Sequence, residues 1–93
     1  MNAREVGGES LAKGFYRKIN GIEYYCTGVS FKNKADAKRY IELEKNDIKK
    51  CLPDFPFKAR IIRKKGKYYV LQNNTVHNTL HWEKTGKLPK LLS

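Results

Sequence analysis

Cysteine is scarce, with two residues, Cys26 and Cys51, in 93. Small secreted domains that lean on disulfides usually carry four or more, so this chain reads as reduced, and both thiols are expected to be buried. No CxxC pair or Cys/His quartet offers a structural zinc site. Long apolar runs are also missing, far below the ~20 residues needed to cross a bilayer, and the first residues lack the apolar centre of a signal peptide. The expectation is a cytoplasmic protein without a membrane role. Acid is the third scarcity: 9 Asp and Glu face 20 Lys and Arg, for a net charge of +11. That excess names the sign of the partner before its kind.

Enzyme signatures are absent as well. There is no phosphate-binding glycine loop, no nucleophile elbow and no carboxylate pair in an apolar setting. The one constellation of interest is His77-Asn78-Thr79-Leu80-His81. Two histidines four apart on a helix can share a metal, but a third ligand and a base must come from elsewhere. They read as surface or capping groups. The chain is expected not to be an enzyme and to need no metal or cofactor.

What is present is a pattern of short elements. Residues 1–13 have a glycine pair and no periodicity, which predicts a flexible tail. Phe15–Ile19 and Ile22–Phe31 flank Asn20-Gly21, the dipeptide favoured where a two-residue turn needs positive φ twice. That turn sets the register: Ile19 opposite Ile22, Lys18 opposite Glu23, Arg17 opposite Tyr24 and Tyr16 opposite Tyr25. Phe15, Ile19, Ile22, Tyr24 and Cys26 then share a core face, with Arg17 its lone charge. Tyr16, Lys18, Glu23, Tyr25 and Thr27 share a wet one.

Asn33, with Asp36 three residues on, predicts a helix start. Ala37, Tyr40, Ile41, Ile48, Cys51 and Leu52 recur at helical spacing, while Lys34, Lys38, Glu42, Lys45 and Lys49 fall opposite. Pro53 ends the helix. A second hairpin spans Phe57–Lys64 and Lys67–Gln72, with a turn at Lys65-Gly66 of two or three residues that leaves its facing open. A short helix over Thr75–Lys84 would place Val76, Leu80 and Glu83 on one face and stop at Gly86, leaving 86–93 as a tail. The expected class is α+β: an antiparallel sheet in β-β-α-β-β order, one helix on one face, and a single domain over 14–85.

Charge is unevenly divided. Residues 1–54 hold 11 basic and 8 acidic side chains, whereas 55–93 hold 9 basic and one acid, Glu83. Lys58, Arg60, Arg63, Lys64, Lys65 and Lys67 crowd the second hairpin with no acid between them. Such self-repulsion favours a polyanion, which makes nucleic acid the first expectation, DNA ahead of RNA and duplex DNA in particular. The hairpin would grip phosphates, while Tyr16, Lys18 and Tyr25 on the first hairpin contact bases or sugars. A second expectation, from another class, is an interaction or inhibitor protein of phage or plasmid type, docking on an acidic protein surface.

Residues 14–50 carry a phrase, Phe31-Lys32-Asn33-Lys34-Ala35-Asp36-Ala37, that opens the helix. In this the segment resembles the arm-type DNA-binding domain of tyrosine-recombinase integrases, where strands precede such a helix. The resemblance implies a sheet face set against the major groove, which here falls on Tyr16, Lys18, Tyr25 and Thr27. That family places three strands before its helix; this sequence shows two before and two after.

Overall fold

The computed structural model describes residues 9–10 and 14–90. Strands β1 (Glu9–Ser10), β2 (Phe15–Ile19), β3 (Ile22–Cys26) and β4 (Val29–Ser30) precede helix α1 (Lys34–Cys51). Strands β5 (Ala59–Lys64) and β6 (Lys67–Gln72) and helix α2 (Val76–Thr85) follow. Four strands form one antiparallel sheet in the order β2-β3-β6-β5, and β1 pairs with β4 separately. The class is α+β. Of the tail expected over 1–13, Glu9–Ser10 instead pairs with Val29–Ser30, and the remainder lies outside the described residues.

Both hairpins close with the same turn. Asn20 and Gly21 have φ of 52° and 81°, and Lys65 and Gly66 have 52° and 76°, the doubly positive geometry of a two-residue hairpin. The first register is the expected one, residue for residue. In the second, Lys64 faces Lys67 and Ile61 faces Val70, which resolves the open facing. The expected long second strand breaks after Cys26, where Gly28 takes φ 83° and turns the chain aside. Phe31 then rejoins the sheet, exchanging backbone hydrogen bonds with Tyr68 at 2.8 and 2.9 Å.

Asn33 caps α1 as expected. Its Oδ1 accepts from the Asp36 N–H at 2.9 Å, and its Nδ2 donates to the Asp36 carboxylate at 3.3 Å. Asn33→Ala should cost about 1 kcal/mol, read as a lower midpoint in urea with an unchanged slope.

Helix α1 packs Ala37, Tyr40 and Ile41 against Phe31, Val70, Ile61 and Tyr68. By register and alternation, Val70 and Ile61 share a face with Gln72 and Tyr25, so α1 lies on the Tyr16–Tyr25 side of the sheet. The sequence assigned that side to water and the opposite side to the core. In fact both faces bury side chains, the far one through Tyr24, Cys26 and Leu71. Tyr40 donates to Glu44 at 2.9 Å, and Gln72 donates to the same carboxylate oxygen at 3.3 Å. Burial, reinforced by Glu44, pushes the Tyr40 phenol well above its ordinary range. Cys51 is exposed, contrary to expectation, because the last turn of α1 extends past the sheet's cover.

Helix α2 begins at its Thr75 cap and stops at Gly86, whose φ is 70°. The face that holds Val76, Leu80 and Glu83 is not the one that turns inward. Val76 and Leu80 are exposed, while Asn78 is fully buried. The reason lies in the strand ends. Strand β6 finishes at Gln72 while β3 continues back to Ile22, which leaves the Glu23 carbonyl beyond its neighbour's reach. The Asn78 amide donates to that carbonyl and to the Asn73 carbonyl, each at 2.8 Å. Asn73, also fully buried, accepts from the Lys58 N–H at 2.8 Å and donates to the Pro56 carbonyl at 2.9 Å. Trp82 packs edge-on to Phe55, with ring centroids 5.8 Å apart. Among the described residues, no helix is long and apolar enough to cross a membrane.

Candidate nucleic-acid interface

The cations of the second hairpin do not form one surface. Alternation along β5 sends Arg60 and Lys64 to the face opposite α1 and Arg63 to the α1 face, where its guanidinium lies 5.9 Å from the Tyr68 ring centre. Lys67 pairs with Lys64 and is half-buried on the far face, while Lys65 sits in the turn. Lys58, just before β5, is exposed.

Tyr16, Lys18 and Tyr25 are brought together, but away from that hairpin. Tyr16 and Tyr25 stack across β2 and β3 with centroids 4.7 Å apart. Strand β2, which carries Tyr16 and Lys18, and the cationic strand β5 are opposite edges of the sheet, about 14 Å apart at normal strand spacing. Tyr25 is also committed to packing. A Cβ on Gly14 would run into its phenol oxygen and into the Cys26 carbonyl, so the chain crosses Tyr25 closely and only glycine fits. Tyr16, at 64% exposure, keeps a free ring face.

The basic surface that the fold does assemble is the face opposite α1. Two hollows of about 300 and 310 Å³ lie along it. The first is bounded by Ile19, Ile22 and Tyr24, with Lys58 and Arg60 at its margin and Leu88 closing one side. The second combines Phe15, Ile62 and Tyr69 with Arg17, Lys64 and Lys65. Among the described residues, no Asp or Glu lines either hollow. The acids of the described residues lie elsewhere: Asp36, Glu42, Glu44 and Asp47 on α1, Glu23 on the α1 face of β3, Glu9 on β1, Asp54 after α1 and Glu83 on α2.

Sequence reasoning missed Arg17, Phe15, Ile62 and Tyr69 as surface residues of this site. The signal was there in Arg17, a charge in the middle of an otherwise apolar stripe. Its guanidinium sits 5.4 Å from the Phe15 ring centre and stays exposed, because β2 is an edge strand whose core-side residues are only partly covered. Cys26, beneath them, is a sealed thiol. Burial raises its pKa, and a backbone hydrogen bond from Gly28 and the charge of Arg17 only partly oppose that.

The histidines stand apart from this face. His77 and His81 line a shallow hollow with Leu80 and Lys84, and His81 Nδ1 lies 2.8 Å from the Lys87 carbonyl oxygen. Among the described residues, no three His, Cys, Asp or Glu side chains are grouped to hold a metal ion. No protein-family model, curated protein or solved structure matches the chain.

Proposed function

We propose that this chain is a small nucleic-acid-binding protein, with DNA ahead of RNA, that grips phosphates with the sheet face opposite α1. The observation that carries the reading is the gathering of Arg17, Lys58, Arg60, Lys64 and Lys65 around two hollows whose linings, among the described residues, hold no acid. Cations so close together repel one another unless a polyanion sits among them, and each phosphate neutralised releases condensed counterions. Duplex DNA carries the densest line of phosphates and is the ligand expected first. Lys67 contributes at the edge of that face, whereas Arg63 lies on the α1 face over Tyr68, where Tyr16 with Lys18 offers a second, smaller contact at the opposite edge of the sheet. The likeness of residues 14–50 to integrase arm-type domains is in keeping with a DNA ligand, and two free cysteines accord with a reducing, cytoplasmic setting.

The test is a salt series. Log affinity for a short duplex should fall linearly with log salt, by about 0.9 per phosphate contact, and lie in a measurable range near 50 mM. Absence of salt-dependent binding to DNA and RNA alike would remove the proposal and leave an acidic protein surface as the partner to seek.

A further inference from the structure

The second hollow is built for more than phosphate. It lies where β3 ends at Cys26 and Gly28, part of its lining, turns the chain aside before Phe31 rejoins β6 at Tyr68. Phe15 on β2 and Tyr69 on β6 are left facing a gap of about 310 Å³, at the small end of ligand-sized hollows. One part of its lining is apolar: Phe15, Ile62 and Tyr69. The other is cationic: Arg17, Lys64 and Lys65. Arg17 already lies over the Phe15 ring, which presents a guanidinium plane and an aromatic face side by side.

A phosphate grip alone has no use for the apolar part. In a closed duplex the base faces are stacked on one another and cannot enter such a hollow. An unpaired nucleotide can offer both halves at once, its base to aromatic and apolar side chains and its phosphate to neighbouring cations. We infer that the Phe15–Tyr69 hollow seats one unpaired base, so that the protein prefers single-stranded nucleic acid, or a strand end, to a closed duplex. This rests on the nucleic-acid reading above, and it replaces the closed duplex expected first from charge density with a strand that carries unpaired bases.

Phe15 is the residue to vary, because it is already exposed at the sheet edge and its loss should leave the fold intact. Polarisation titrations would use labelled oligothymidylate of about 12 nucleotides, within the span of single-strand sites, and a duplex of equal length. Wild type should bind the single strand more tightly. Phe15→Ala should weaken that binding at least about five-fold without changing its salt slope, because stacking moves no counterions. Duplex binding should fall by clearly less than single-strand binding, and Phe15→Trp should restore the single-strand affinity. Equal wild-type affinity for both forms, or a Phe15→Ala loss shared by both, would overturn the inference while the function stood. Binding to neither form, with capture of polyglutamate instead, would overturn both.

Discussion

Asn73→Ala should destabilise the protein strongly. Its side chain satisfies the Lys58 N–H and the Pro56 carbonyl, and its own carbonyl accepts from Asn78. Truncation removes the side-chain partner of two backbone groups around a fully buried position, at about 1–3 kcal/mol each. A domain of this size has roughly 5–15 kcal/mol in all. Thermal melts should show a fall of 10 °C or more, since each kcal/mol moves a small domain's midpoint by about 4–8 °C. Asn78→Ala should behave alike, because it strips the Glu23 carbonyl at the end of β3 of its donor. A neutral result at both positions would mean that water replaces the amides at this end of the sheet.

Phe31→Ala should be as severe, by a different route. The ring is 1% exposed, lies 5.4 Å from that of Tyr40, and sits where α1 meets the sheet beside Val70 and Ala37. Emptying such a site costs about 3–5 kcal/mol, the lost transfer energy plus the cavity left behind. Phe31→Leu, which keeps most of the volume, should cost less than half of that. Denaturant unfolding separates the two variants, and equal midpoints would place Phe31 outside the core.

Local chemistry was the legible part of the sequence. Asn20-Gly21 fixed the first register, Asn33 and Asp36 marked the helix start, and Pro53 and Gly86 marked two ends. These signals act over a few residues and need no knowledge of the rest of the chain. Which face of a sheet meets a helix is a long-range matter, decided by how Phe31 and Val70 pack with Tyr40, and the apolar stripe of β2 pointed the other way. Helix α2 misled for a related reason. Its inward residue is Asn78, a polar side chain whose value lies in carbonyls far away in sequence. The same limit governs the candidate site. Composition located the cations on β5 and β6, but only the register sorts them by face, and only the folded sheet lines one hollow with Arg17, Lys64 and Lys65. Tyr25, expected to read bases, is drawn into packing by the close passage of Gly14.

The most direct test of a phosphate-gripping sheet face compares two triple variants of equal charge loss. One removes Arg17, Arg60 and Lys64 from the face opposite α1; the other removes Lys34, Lys38 and Lys49 from the exposed surface of α1. DNA affinity is measured from about 50 to 200 mM salt for each, with wild type alongside. The face variant should lose roughly two to three from the magnitude of the salt slope, about one per phosphate contact, and the helix variant less than one. If the helix variant flattened the slope and the face variant kept it, the polyanion would lie against α1 and the interface described here would be on the wrong side of the molecule.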